Sequence, residues 1–170
     1  SETARLAGTL IVPAFGRERP AITLLHGSGP LTRHSFGPYP YFFASLGFAV
    51  LVYDKRGTGG STGTRLDAST GRAMVPEIYP TGILSDAVGA FRFLQTRSEI
   101  DPAKIGFWGS SEGGMLATQA AAHIPETAFA IASSGFLGPL WQATSSQAAA
   151  HPRRAGAPEA SRDFIGNEQN

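Results

Sequence analysis

Three short apolar runs, each ended by a glycine-rich turn, constrain the fold of this 170-residue chain more than any other feature. They cover residues 21–25, 48–53 and 105–108. Each run has the length of a strand and shows no regular alternation of polar and apolar positions, which is typical of strands buried on both faces of a parallel sheet. The glycines that follow prevent continuation of the strand. We therefore expect a sheet whose strands open into loops.

Helical patterns separate these runs. Residues 83–94 repeat apolar side chains at helical spacing, and residues 41–46 and 115–123 favour two further helices. A fourth strand is predicted over residues 128–132, and an edge strand over residues 5–13. Strands that alternate with helices predict an α/β fold, with a mostly parallel sheet and helices on both of its faces.

A G-x-S-x-G sequence lies between the third apolar run and the next helix, and it reads Gly109-Ser110-Ser111-Glu112-Gly113. At a strand-to-helix turn this sequence strains its central serine and raises the hydroxyl above the sheet edge. Ser111 is therefore the candidate nucleophile, and the Glu112 amide at the start of the helix is a candidate donor to an oxyanion. The alternative is a tight turn that merely contains a serine.

The first apolar run ends in a second glycine-rich loop, His26-Gly27-Ser28-Gly29-Pro30. Glycines here let the backbone approach a substrate carbonyl, so the Ser28 amide is the candidate second oxyanion donor. We expect His26 to order the loop rather than to carry protons. The alternative is an ordinary glycine–proline turn.

Composition excludes several classes of function. The chain has no Cys, which excludes a disulfide framework and a thiolate nucleophile. Its formal net charge is +1, its basic residues are scattered and its apolar runs are far shorter than the ~20 residues that span a bilayer, so we expect neither nucleic acid nor a membrane as a partner. Its four His residues lack ligand spacing, so we expect no metal. The glycine-rich residues 57–63 lack the ending of a phosphate loop, and we expect no cofactor. Glu77, Glu99 and Glu112 are isolated and are expected to face solvent.

Several motifs in order resemble the α/β-hydrolase superfamily, and most of all bacterial serine esterases related to dienelactone hydrolases and prolyl-oligopeptidase-type acyl hydrolases. The motifs are Leu24-Leu25-His26-Gly27-Ser28-Gly29-Pro30, Tyr53-Asp54-Lys55-Arg56-Gly57 with Ser61-Thr62-Gly63, and Asp101-Pro102-Ala103-Lys104-Ile105-Gly106 leading into Gly109-Ser110-Ser111-Glu112-Gly113-Gly114. The resemblance covers about residues 5–140. It implies Ser111 as the nucleophile and the Ser28 and Glu112 amides as the oxyanion hole. It also implies that Asp54 and Arg56 shape the turn after their strand.

The resemblance implies a catalytic triad in the order Ser, Asp or Glu, His, whose acid and base follow two further strands. No strand pattern follows the fourth predicted strand. His34, near the first oxyanion loop, and His151, in the tail with Asp163, are candidate surrogate bases, with surface roles as the alternative. His123 stands about 18 Å from Ser111 along one helix, too far to be its base.

Residues 141–170 resemble the beginning of a mostly helical cap insertion, whereas residues 1–140 form the hydrolase core. In this interpretation the chain is the N-terminal part of a longer hydrolase, or a shortened form. The predicted function is a serine carboxylesterase that cleaves small acyl esters through an acyl-enzyme at Ser111. The alternative is a catalytically incomplete fragment that acts as a binding or assembly module. Peptidase activity rests on family analogy alone.

Three further expectations concern partners, location and the pocket. An open sheet would leave an apolar edge, so we expect a homo-oligomer or pairing with a missing C-terminal half. Ser1 in place of an initiator Met fits either a removed signal peptide or another trimmed N-terminus. We therefore expect a soluble protein and leave its location open, with export from a bacterium as one alternative. An aromatic cluster favours core packing over an acyl pocket, and it comprises Tyr39, Tyr41, Phe42 and Phe43.

Overall fold

The computed structural model describes residues 4–14, 16, 18–65 and 82–134 of the chain. These residues form five strands and three helices, and each predicted element is present. The elements are β1 (Gly8–Ile11), β2 (Arg19–Leu25), α1 (Tyr39–Ser45), β3 (Ala49–Tyr53), α2 (Ile83–Gln95), β4 (Ile100–Ser110), α3 (Glu112–His123) and β5 (Phe129–Ser133). The expected tail at residues 141–170 lies outside the described residues.

The five strands form one sheet in the order β1-β3-β2-β4-β5. Strand β1 pairs antiparallel with β3 at one edge, as expected for an edge strand. The other three pairings are parallel. Parallel strands place their carboxyl ends at the same edge of a sheet, so the loops that follow β2, β3 and β4 converge there.

Helices cover both faces of the sheet, and the α/β prediction is confirmed. Helix α1 covers one face, where Phe43 packs with side chains from the central strands, namely Ile22, Leu24, Val50, Val52 and Trp108. On the other face, Phe91 of α2 stacks on Phe107 of β4, with ring centroids 5.7 Å apart. The full burial of Phe91 and Phe107 places a second core between the sheet and α2.

The aromatic cluster at α1 does not form a single core patch. Phe43 is buried, whereas Tyr39, Tyr41 and Phe42 are 46%, 71% and 55% exposed, so the core assignment is wrong for these three side chains. A helix of two turns can bury only one stripe against the sheet, and consecutive aromatic residues point in different directions around it. Tyr39 packs against the Trp108 ring, with centroids 4.7 Å apart.

Candidate active site

The backbone at Ser111 has the strained geometry that the sequence predicts. Ser111 has φ 55° and ψ −121°, a left-handed conformation that non-glycine residues rarely adopt. Its amide donates to the Ser133 carbonyl of β5 at 3.0 Å, which ties the turn to the sheet. The residue is exposed. Helix α3 begins directly after it, at Glu112 rather than at the expected residue 115.

The glycines on either side of Ser111 are required by close backbone packing. A Cβ atom at Gly109 would collide with the Gly113 carbonyl, and one at Gly113 would collide with the carbonyl oxygens of Leu25 and His26. The second contact joins the start of α3 to the end of β2. The G-x-S-x-G spacing therefore brings the serine turn and the first glycine-rich loop into backbone contact.

His26 orders the first loop, as expected from the sequence. Its Nε2 donates to the Tyr53 carbonyl at 2.6 Å, which fixes the tautomer, and its ring stacks on Phe36 with centroids 4.2 Å apart. Burial lowers the pKa of His26 to about 4, against the opposing effect of the Tyr53 carbonyl. The ring is therefore neutral at pH 7 and acts as an anchor.

The two candidate oxyanion donors lie on the two segments that meet at this point. Glu112 is the first residue of α3, so its amide has no acceptor within the helix. The Ser28 amide donates to no backbone carbonyl of the described residues. Gly27, which precedes it, lies against the turn, because a Cβ atom there would stand 3.8 Å from the Ser111 Cβ.

The Glu112 side chain corrects one expectation. It is 6% exposed instead of solvent-facing, and its Oε2 accepts a hydrogen bond from Lys55 Nζ at 2.6 Å. Lys55 Nζ also donates to the Gly27 carbonyl at 3.0 Å. The motif after β3 contains Lys55, but the sequence did not predict that this side chain is buried. Its partner, Glu112, lies 57 positions away and no local pattern links the two residues.

Two more ion pairs hold the loop that follows β3. Arg33 donates to both carboxylate oxygens of Asp54, and the Gly60 amide donates to Asp54 Oδ2. Burial alone would raise the pKa of Asp54, but the hydrogen bonds from Arg33 and Gly60 hold it below its usual range. Arg56 pairs with the buried Asp86 of α2 at 2.6 Å, where burial raises the carboxyl pKa.

A cavity of about 280 Å³ opens beside Ser111. Its walls come from the ends of β2 and β4 and from the loop before α1, and they include Leu25, Leu31, Phe36, Tyr39, Trp108 and Ser110. The lining is mainly apolar and aromatic. A larger cavity of about 460 Å³ lies between the β1 side of the sheet and α2, and Ser111 does not line it.

The candidate bases are not assembled with Ser111 in the part of the chain that the structure describes. His34 is exposed and does not line the cavity, although its neighbour Ser35 does. His151 lies outside the described residues. His123 stands at the far end of α3. No histidine among the described residues is hydrogen-bonded to the Ser111 hydroxyl.

Within the described ranges, no group of three or more His, Asp or Glu side chains is arranged to hold a metal ion. In those ranges no helix combines the length and the apolar character needed to cross a membrane.

The comparisons with known proteins agree with this geometry. Residues 34–164 match the model of the prolyl oligopeptidase family. An uncharacterized protein of Mycobacterium tuberculosis is 28% identical over 129 residues, which are 76% of this chain and 41% of that protein.

Two solved structures of hydrolases are similar to the chain. The acetyl xylan esterase 1 of Thermoanaerobacterium sp. has a TM-score of 0.63 at 21% identity, over 95% of this chain and 56% of that chain. A dienelactone hydrolase of Anabaena variabilis has a TM-score of 0.55 at 26% identity, over 76% of this chain and 57% of that chain. The chain therefore spans about half the length of these relatives.

The family match covers most of the chain, and the sheet order and the serine turn fit the fold of the solved relatives. The chain belongs to the prolyl oligopeptidase family of α/β-hydrolases.

Proposed function

We propose that this chain carries the nucleophile and the oxyanion hole of a serine carboxylester hydrolase that acts on small acyl esters. The observation that carries the proposal is the strained, exposed Ser111 at the mouth of a cavity, with the first amide of α3 directly after it. A backbone of this kind costs about 1–3 kcal/mol and persists where the surrounding structure enforces it. Such strain is typical of a nucleophile held above a sheet.

Acylation begins when Ser111 Oγ attacks the carbonyl carbon of the ester. A carbon–oxygen bond forms, the hydroxyl proton passes to a base, and the carbonyl oxygen becomes an oxyanion. The Ser28 and Glu112 amides donate to this oxygen. Collapse of the intermediate expels the alcohol, which takes up the proton. Loss of one such donor typically costs about 2.7–4 kcal/mol in the transition state.

Deacylation repeats these steps with water as the nucleophile. Water attacks the acyl carbon, the same amides hold the second oxyanion, and the acid leaves as Ser111 regains its proton. The base is His34 or His151 of this chain, a residue of a neighbouring copy, or a residue of the C-terminal half that the relatives carry beyond the matched region. A serine hydrolase without its base retains only ~10³–10⁴-fold acceleration over water.

The cavity supports a small acyl group as the substrate. Its volume of about 280 Å³ lies just below the range of drug-sized pockets. Phe36, Tyr39 and Trp108 supply apolar walls, and no charged side chain is among the described residues that line the cavity. The names of the acetyl xylan esterase and the dienelactone hydrolase describe ester and lactone chemistry, which fits this choice.

Hydrolysis of p-nitrophenyl acetate, butyrate and octanoate tests the proposal. We expect the acetate to be cleaved with the highest kcat/KM, because the cavity is small. Ser111→Ala should lower kcat at least about 100-fold, since both the nucleophile and its proton transfer are lost. Ser98→Ala, which removes an exposed hydroxyl just before β4, at the opposite end of that strand from Ser111, is the matched control and should hydrolyse at the parental rate.

Equal rates for the parent and Ser111→Ala would overturn the nucleophile assignment. A parent without hydrolysis that forms a stable assembly would favour the binding module instead. The observation behind that second candidate is β5, whose outer edge is unpaired among the described strands.

A further inference from the structure

Lys55 has a buried side chain that takes no part in the proposed chemistry. It nevertheless contacts both segments that carry the candidate oxyanion amides. Lys55 directly follows Asp54 at the end of β3, and its side chain is 2% exposed. Its ammonium group donates to Gly27 O at 3.0 Å and to Glu112 Oε2 at 2.6 Å. One cation thus bridges the first glycine-rich loop and the start of α3.

The Gly27 contact fixes the orientation of the Ser28 amide. The carbonyl of Gly27 and the N–H of Ser28 belong to the same planar, trans peptide unit, so they point in opposite directions. A hydrogen bond that holds the carbonyl oxygen therefore also aims the N–H. An ammonium donor further polarises the peptide unit, which strengthens the N–H as a donor.

The Glu112 contact anchors the side chain of the residue that carries the second amide and neutralises the charge beside it. The Glu112 carboxylate belongs to the residue whose own amide is the other candidate donor. An unpaired carboxylate there would repel a developing oxyanion in a site of low dielectric constant. Glu112 Oε1 is buried without a hydrogen-bond partner among the described residues, so the carboxylate depends on Lys55.

Stability alone is a weak reason for such a pair. The desolvation of two buried charges consumes much of their attraction, and apolar replacements of similar volume are often neutral or stabilising. The chain offers a direct comparison, because Arg56 and Asp86 form a second buried ion pair that contacts neither oxyanion segment. The Lys55–Glu112 pair joins the two oxyanion segments, whereas the Arg56–Asp86 pair joins the loop after β3 to α2.

We propose that Lys55 is a positioning residue that sets the separation and direction of the Ser28 and Glu112 amides through its bonds to Gly27 O and the Glu112 carboxylate. The role rests on the proposed function, since these amides matter only if Ser111 forms an acyl or phosphonyl adduct. Lys55 touches no reacting atom. Its loss weakens stabilisation of the transition state and leaves substrate binding in the cavity unchanged.

The test measures the rate of fluorophosphonate labelling as a function of reagent concentration, which separates kinact from KI. Lys55→Met/Glu112→Gln removes the bridge without changing the net charge of the chain. We expect kinact to fall about tenfold, less than the loss of a whole oxyanion donor, with KI unchanged. Arg92→Met/Glu126→Gln removes an exposed ion pair that involves neither oxyanion segment nor the loop of Lys55, again without changing the net charge, and should keep kinact within about twofold of the parent.

A third variant keeps the test decisive if the first fails to fold. Lys55→Met/Glu112→Leu replaces the pair by apolar groups of similar volume, a change that buried pairs commonly tolerate. It also removes the donor to Gly27 O, so the same fall in kinact is expected. Parental kinact in a folded Lys55 variant, or an equal fall in the Arg92 control, would overturn the positioning role. A parent that forms no Ser111 adduct would overturn the proposed function itself.

Discussion

His26 shows how a single neutral side chain supports the candidate site. Its Nε2 holds the Tyr53 carbonyl, its ring packs on Phe36, and burial lowers its pKa to about 4. Protonation of the buried ring would place a charge beside Lys55, whose cation already disfavours it. The loop that carries Ser28 therefore depends on a neutral His26.

This anchor predicts a loss of stability in mild acid. The unfolded ring titrates near pH 6.5, so between pH 6.5 and 4 the unfolded chain binds more protons than the folded chain. The free energy of unfolding should fall as the pH falls through this window, by about 3 kcal/mol. Urea unfolding of the parent and of His26→Gln, at steps from pH 7 to pH 4, measures the effect.

The Gln variant is the control because its side-chain amide can donate to Tyr53 O but does not titrate in this range. Its unfolding free energy should depend less on pH than that of the parent. Identical pH dependence in both proteins would show that His26 is not the titrating group.

Individual residues were predictable where one local pattern sets their role. Ser111 is such a case, because the five consecutive residues of the G-x-S-x-G sequence determine the turn that strains it. Lys55 and Glu112 are the opposite case, since their burial depends on a contact across 57 positions. The available signal was that both follow the carboxyl ends of parallel strands, where separate loops meet.

At the level of elements, the packing of α3 against β2 predicts a sharp contrast between two helical glycines. Gly113→Ala should lower the free energy of unfolding by about 3 kcal/mol or prevent folding, because the new methyl group meets two backbone carbonyls. Gly89→Ala, in the middle of α2, meets no atom within 4 Å and should raise stability by about 1 kcal/mol. Thermal and urea unfolding measure both changes.

The matched substitutions separate packing from helix propensity. If both variants gained stability alike, the start of α3 would not lie against β2, and the two oxyanion segments would not meet. A lower free energy of unfolding in Gly89→Ala would instead show that α2 is packed more closely than in this structure.

Elements with continuous patterns were predicted to within about two residues, as for β3 and α2. Boundaries failed where a local signal was misleading. Strand β4 begins at Ile100, well before the expected residue 105, because Asp101 and Pro102 signal a turn yet lie within the strand. Helix α1 begins at Tyr39 because Pro40 is tolerated in a first helical turn.

At the scale of the whole molecule, the outer edge of β5 has no partner strand among the described residues. Among the described strands, β5 pairs only with β4. Ile131 is 43% exposed on it, and such an edge is a template for pairing with another chain. The homo-oligomer expected from the sequence therefore stays a prediction.

Light scattering after size-exclusion chromatography tests that prediction. We expect the parent to self-associate as its concentration rises and Ile131→Lys to weaken the association, because a charge on an edge strand opposes pairing. Phe93→Lys is the matched control, since Phe93 is 44% exposed but lies on α2. A parent that stays monomeric at all concentrations would contradict the predicted pairing.

Intact-mass spectrometry after exposure to a fluorophosphonate shows whether Ser111 is an activated nucleophile. We expect a single adduct on the parent chain, mapped to the peptide that contains Ser111, and no adduct on Ser111→Ala. An unmodified parent, or an adduct that persists in Ser111→Ala, would contradict this role of Ser111.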